Sequence, residues 1–198
     1  MNTDYTKIEK IKEWLKNNLT DERYGHSLGC ADAAKEIAKI MNYDEDRAYL
    51  AGLIHDCAKS IPLDEAKHLL KENNFELVCG EENNKKVLHA PAGAIIAKKE
   101  FGITDEDILS AIRWHTLGKS DMNTLEKIVF IADKIEPFSR GEIEYKQKLQ
   151  LLKKTGGADK IIFDCYAYTI KSLVDRKMVI CPRTVEIYND LLLNNIKN

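Results

Sequence analysis

Apolar residues return along most of this chain at intervals of three and four, the spacing of one face of an α-helix. Tyr5, Ile8, Ile11, Trp14 and Leu15 lay out an amphipathic first helix. A second opens at Thr20, a hydroxyl residue suited to cap it, and carries Leu28, Ala31, Ala34, Ile37 and Met41. From Asp44 the run EDRAYLAGLIHDCAKS predicts a largely buried helix. It should end near Ser60, because Ile61 precedes Pro62 and is pushed out of helical geometry. Further helices are expected over Leu63–Asn73, Ala90–Phe101, Asp105–Thr116 and Thr124–Ile135. Three more follow over Ile143–Lys154, Ala158–Lys177 and Arg183–Asn195. Only Leu77–Val87 and Met178–Cys181 read as extended or strand-like.

The stretch PFSRGEIEYKQKLQLLKKTGG, from Pro137 to Gly157, is more polar. It reads as a connection and a solvent-facing helix within one domain. With no internal repeat or low-complexity tract, the pattern predicts an all-α fold, a single-domain irregular helical bundle over residues 1–198. Composition agrees: ten Gly and four Pro in 198 residues leave few helix breakers. A hydrophobic content of 44% with 31% charged residues suits a globular domain with a real core.

Charge narrows the partners. Thirty Lys+Arg against 32 Asp+Glu give a net charge of −2, and the lysine pairs are interleaved with acids. No basic field for nucleic acid results, so no nucleic-acid partner is expected. The start MNTDYTKIEK lacks the apolar core of a signal peptide, and no apolar run reaches a membrane span. No membrane partner is expected, and the expected location is the cytoplasm. The five cysteines, Cys30, Cys57, Cys79, Cys165 and Cys181, form no C-x-x-C pair. That excludes a disulfide framework or zinc knuckle and suits a reducing compartment.

The candidate chemistry lies in the histidines and buried acids. His26, His55, His89 and His115 sit beside small or apolar residues, where any one alone is more simply a hydrogen-bonded core residue. The set carries more weight. Asp56 follows Leu50, Ala51, Gly52, Leu53, Ile54 and His55, so its carboxylate is expected to be buried. A buried carboxylate must face a cation, a metal or strong donors. A helix cap or a pair with Lys59 at i+3 would also answer it. Asp133, behind Ile128–Ala132, raises the same question, with the surroundings of Lys134 or Arg113 as the plain partners. Two acids sunk in apolar helices, with several imidazoles and no thiolate, point to a shared site for iron, manganese, cobalt or zinc. His68, beside Lys67, Lys71 and Glu72, belongs on the surface, and Cys57 reads as a small buried hydrophobe.

His26, then His55-Asp56, then Asp133 resemble the signature of the HD superfamily of metal-dependent phosphohydrolases, and His89 and His115 resemble the additions of its dinuclear members. RYGHSLGCA (Arg23–Ala31), LIHDCAK (Leu53–Lys59), HAPAGA (His89–Ala94), RWHTLG (Arg113–Gly118) and KIVFIADKIEP (Lys127–Pro137) are similar to motifs of the YqeK family. That family comprises symmetrical diadenosine tetraphosphate hydrolases. The resemblance places the motif-bearing core at residues 20–140, with C-terminal helices 141–198 packed on it and carrying no discriminating motif.

The resemblance implies two divalent ions as cofactor, iron foremost. His26, His55, Asp56 and Asp133 would hold one ion, and Asp56 would bridge to a second completed by His89 and His115. It implies cleavage of diadenosine tetraphosphate at its central anhydride to two ADP, by attack of a metal-activated hydroxide. Asp56, Lys59 and Arg23 are the residues expected at the reaction. Lys59 lies four residues after His55 and Arg23 three before His26, spacings that place each with its histidine on one helical face. Thr116 and Lys119, after His115, are further candidates for binding phosphate, and Arg140 resembles the family's downstream arginine. Surface roles would also suit these side chains. Trp114, Phe130 and Phe138 could stack a base but read more simply as core. Two alternatives share the fold. One is an HD-type hydrolase of a deoxynucleotide, cyclic dinucleotide or guanosine polyphosphate; the other is a non-catalytic nucleotide sensor, which the complete set of ligand types disfavours. A homodimer is left open.

Overall fold

The computed structural model describes residues 5–78, 81–82 and 84–196, and Cys79 lies outside them. The described residues form eleven helices and no strand. They are α1 (Tyr5–Asn18), α2 (Asp21–Ile40), α3 (Glu45–Ile54), α4 (Leu63–Glu72), α5 (Lys85–Phe101) and α6 (Glu106–Trp114). Then come α7 (Thr124–Ile135), α8 (Pro137–Arg140), α9 (Glu142–Leu152), α10 (Gly157–Asp175) and α11 (Pro182–Ile196). No described helix is long and apolar enough to cross a membrane.

Helix starts follow local capping chemistry. Thr20 accepts from the Arg23 backbone N–H at 3.3 Å. Asp44 accepts from Asp46 and Arg47, and Asp105 from Asp107 and Ile108. Asn123 and Glu126 form a reciprocal capping box at α7, each side chain accepting from the other's backbone N–H. Such caps stabilise a helix by about 1 kcal/mol each.

Three departures from the expected boundaries matter. First, α3 stops at Ile54, well before Ser60. Cys57 N–H bonds to Ile54 O at 3.1 Å and Lys59 N–H to Asp56 O at 2.9 Å, so successive three-residue turns replace the helix. Lys59 therefore sits in a turn and not on the helical face of His55. Second, α5 begins at Lys85 instead of Ala90, capped by Asn84, whose side chain accepts from the Lys86 N–H. His89 is thus inside the helix rather than at its entry. The described part of Leu77–Val87 ahead of Asn84 has turns and irregular backbone, and Met178–Cys181 is irregular without strand pairing. Third, the polar stretch after Pro137 contains the short α8, started by Pro137 at its first turn. The α9 helix that follows is exposed on most positions but buries Tyr145, Leu149 and Leu152.

The main core gathers Ile11, Leu15, Ile37, Leu53, Ile112, Leu125, Ile128 and Ile131 with their neighbours. A smaller cluster, Ala58, Ala66, Leu70, Leu88, Ala92 and Ile95, fastens α4 to α5. Helix α10 packs onto α7, where Phe130 stacks on Tyr166, and α11 packs onto α10, where Tyr188 stacks on Phe163, at 5.5 and 5.3 Å between ring centroids. The packing of α2 against α3 depends on small residues. A Cβ on Gly52 would lie 2.8 Å from Cys30 O and 2.9 Å from the Cβ of Ala34. Only glycine lets the end of α3 lie this close to the middle of α2, which sets His26 of α2 against His55, just past α3.

Candidate metal centre

Five separate segments deliver six side chains to one place. His26 comes from α2, His55 and Asp56 from the turn after α3, His89 from α5, His115 from the end of α6 and Asp133 from α7. The imidazoles are at most 7% exposed and Asp56 is 1% exposed. Adjacent side chains on a helix diverge by about 100°. His55 keeps right-handed helical backbone at the C-cap of α3, yet its Nε2 lies 3.7 Å from Asp56 Oδ1, so the pair still reaches one site.

The six form two groups that share Asp56. In the first, His26 Nε2 lies 3.2 Å from His55 Nε2 and 3.1 Å from Asp133 Oδ1. His55 Nε2 is 3.6 Å from the same Asp133 oxygen and 3.7 Å from Asp56 Oδ1. In the second, Asp56 Oδ1 lies 3.0 Å from His89 Nε2 and 3.3 Å from His115 Nε2, while these two nitrogens are 3.0 Å apart.

The far side of each ring decides what these contacts mean. His55 Nδ1–H donates to Gly52 O, and His115 Nδ1–H to Ile112 O, each at 2.7 Å. Both acceptors are carbonyls of a last helical turn, which lack partners within the helix. His26 Nδ1–H donates at 2.9 Å to Glu136, whose buried carboxylate also accepts from the Phe138 and Ser139 N–H groups. With the proton fixed on Nδ1, a neutral imidazole turns its Nε2 lone pair inward. Lone pairs and carboxylate oxygens crowded at such distances repel unless something positive lies among them.

The proton affinities report the same field. Burial works against a cation at His26, but the hydrogen bonds to Asp133 and Glu136 and the nearby negative charge outweigh it, raising its pKa to about 9. A field that holds a proton there also favours a metal cation. His115 is pushed down to about 3, chiefly by burial. Burial opposes ionisation of Asp56 and Asp133, yet each stays well below the usual carboxylate range. The surrounding imidazoles hold Asp56 there, and Lys134 with His26 and His55 holds Asp133. Two buried atoms at this centre, Asp56 Oδ2 and His89 Nδ1, have no hydrogen-bond partner. An orphaned carboxylate oxygen beside inward lone pairs fits a divalent cation, and the nitrogen and oxygen donor set suits iron, manganese, cobalt or zinc.

Around this centre the other candidate residues divide. Lys59 Nζ lies 3.3 Å from Asp56 Oδ1 and 2.9 Å from His89 Nε2. Thr116 Oγ1 lies 3.0 Å from His115 Nε2. Arg23 reaches to 3.8 Å from Asp56 Oδ2 and is 42% exposed, so its guanidinium stands at the rim. Arg140 donates through Nε to Lys134 O at 3.2 Å and lines a cavity next to Asp133. Lys119 is not gathered with them; its ammonium pairs at 3.0 Å with the buried Glu126. Asp133 is partnered by Lys134, whereas Arg113 pairs instead with Glu81, two bonds of 2.7 Å, and lies over the Trp114 ring. Phe130 is core, but Phe138 is 60% exposed because α8 lays its ring against Gly25 and Gly29 on the surface of α2. His68 is on the surface beside Glu72, and Cys57 is buried with Sγ toward Gly93 O, its thiol raised by burial.

One contributor escaped the sequence reading: Glu136, which orients His26. Lys134, whose surroundings are the plain partner expected for Asp133, neutralises it and also reaches His115 O at 3.4 Å. The position of Glu136 between an apolar helix and Pro137 was a signal for a capping acid, but not for the histidine 110 positions away that it orients.

The HD domain family model matches residues 23–137, which include all six converging side chains. Symmetrical bis(5'-nucleosyl)-tetraphosphatase of Halalkalibacterium halodurans is 38% identical over 93% of this chain and 96% of its own length. The Staphylococcus aureus protein of the same name is 34% identical over 92% of this chain and 93% of its own. A crystal structure from Clostridium acetobutylicum, described as a predicted HD superfamily hydrolase involved in NAD metabolism, superposes with a TM-score of 0.86 at 38% identity. It covers 94% of this chain and 97% of that one. An HD family match holding all six converging side chains, with such relatives covering more than nine-tenths of the chain, assigns the lineage: the chain belongs to the HD domain family, in the branch of the symmetrical bis(5'-nucleosyl)-tetraphosphatases.

Proposed function

We propose that this protein is a metal-dependent hydrolase of bis(5'-nucleosyl) tetraphosphates that splits diadenosine tetraphosphate at its central anhydride into two ADP. The observation that carries the reading is Asp56, a buried carboxylate shared by two groups of inward-facing histidines, with one oxygen that makes no hydrogen bond. The relatives named above support the substrate. Residues 1–198 act in this reading as one HD-type domain.

His26, His55, Asp56 and Asp133 would hold one divalent ion, and Asp56, His89 and His115 a second. Two such ions would offset polyphosphate charge and make water a usable nucleophile at neutral pH. Iron is the favoured metal, with manganese, cobalt and zinc as chemically allowed substitutes. The chain's own groups do the rest. The Gly52, Ile112 and Glu136 acceptors keep three imidazoles in the metal-binding tautomer before substrate arrives. Lys59 and Arg23 bring positive charge to the two sides of Asp56, where phosphate oxygens gain charge during displacement. Thr116 offers a hydroxyl donor beside His115.

The test joins product analysis with elemental analysis of protein purified without chelator. ADP as sole product and about two ions per chain, falling to about one in His89→Ala, is the expected outcome. ATP with AMP would refute symmetrical cleavage. Tight nucleotide binding at full metal occupancy without turnover would favour a sensor.

A further inference from the structure

Beside Asp133 a cavity of about 580 Å³ opens between the end of α7, the α8–α9 segment and α10. That volume lies within the roughly 300–1,000 Å³ range of small-molecule sites. Its walls carry Asp133 of the metal centre and its partner Lys134, together with Arg140, Lys148, Asp164 and Tyr168. Most of this outer wall follows residue 137, where the family match ends.

Three features of the wall lack a packing purpose. Tyr168 is 68% exposed, a large ring contributing little to the core. Arg140 lines the cavity and is tied to the protein through Nε, with no carboxylate pairing its guanidinium among the described residues. Lys148 is held only by a 4.0 Å pair with Asp164, and Asp164 is also 3.5 Å from Lys160. Two cations, an aromatic ring and a carboxylate thus share one cavity beside the metal centre, the kinds of group that receive the phosphate, base and sugar of half a dinucleotide.

We infer that this cavity is a nucleoside-binding arm of the active cleft, resting on the hydrolase reading above. A tetraphosphate held at its centre by the ions must send an adenosine outward on either side, and the Asp133 side leads here. The base stacks on Tyr168, Arg140 and Lys148 face the phosphate joined to the ribose, and Asp164 is placed to accept from a ribose hydroxyl. The C-terminal helices thereby supply substrate recognition as well as packing.

The test measures steady-state kinetics on diadenosine tetraphosphate and inhibition by ADP or inorganic pyrophosphate, in the metal-loaded protein and in Tyr168→Ala and Tyr168→Phe. Tyr168→Ala should raise KM and the ADP inhibition constant about tenfold, the cost of losing one base–aromatic stack. Pyrophosphate inhibition and metal content should stay unchanged, kcat should move little, and Tyr168→Phe should restore wild-type values. Unchanged ADP inhibition in Tyr168→Ala, or an equal loss for pyrophosphate, overturns the inference. Calorimetry with ADP separates it from the parent reading. If the unaltered protein fails to cleave the dinucleotide but binds ADP in a Tyr168-dependent way, the pocket stands and the hydrolase reading falls. If it neither cleaves nor binds, both fall.

Discussion

A methyl group in place of one hydrogen on Gly52 would separate helix propensity from tertiary packing. Propensity says that Gly52→Ala, inside α3, should stabilise the helix by about 1 kcal/mol. The structure says otherwise. The new Cβ would stand 2.8 Å from Cys30 O, 2.9 Å from Ala34 Cβ and 3.1 Å from Ala31 Cα. The carbonyl and the Cα belong to the backbone of α2 and cannot rotate away, so α3 must move. Overpacking costs about 1–3 kcal/mol, and a clash against fixed backbone falls in the upper part of that range, about 2–3 kcal/mol, of which the helix gain offsets about 1 kcal/mol. The net expectation is a destabilisation of about 1–2 kcal/mol, seen as a Tm lower by roughly 2–8 °C for a chain of this size. The same displacement would widen the 3.2 Å gap between His26 and His55, so affinity for the first ion should fall with stability. Thermal unfolding of metal-free protein and a metal titration read the two effects separately. A Gly52→Ala protein as stable as the wild type, or more so, would refute the claim that this contact sets the helix spacing.

Glu136→Gln keeps a hydrogen-bond acceptor for His26 but removes its charge, so the first ion should bind about 10–100-fold more weakly with the fold intact; superimposable metal titrations would rule this out. Lys59→Ala and Lys119→Ala should separate cleanly. Lys59 lies against Asp56 and His89, and its loss should lower kcat/KM by about tenfold or more. Lys119 serves Glu126, so its loss should cost about 1–2 kcal/mol of stability and leave kcat/KM unchanged. Equal kinetic losses in both variants would undo the distinction.

Much of the architecture is written locally. Helix α7 spans Thr124–Ile135 as its pattern predicts, because Asn123 and Glu126 cap its start and its apolar run stops at Glu136, just ahead of Pro137. Thr20 caps α2 for the same kind of reason. The six candidate ligands were legible because acids in apolar helices demand a cation and because their order along the chain resembles a known family. His68 was separable from the other histidines by its polar neighbours alone. The end of α3 was not legible, since LIHDCA continues an apolar helical pattern while the bonds that end the helix are local turns favoured by the polar centre. Lys119 and Phe138 misled for a different reason. Lys119 follows a ligand in sequence, yet a buried acid on the next helix claims its charge, and Phe138 lies over two glycines that leave it a surface seat.

Sequence alone determined most of the helices, the Thr20 cap and the inventory of donors, because capping, periodicity and the cost of burying charge act over a few residues or on composition. Tertiary structure decided which donors share Asp56, which acceptor fixes each imidazole, and which cations are already spent elsewhere. Those outcomes depend on pairings across as many as 110 positions, such as His26 with Glu136, and distance in the folded chain is set by packing rather than by spacing along it.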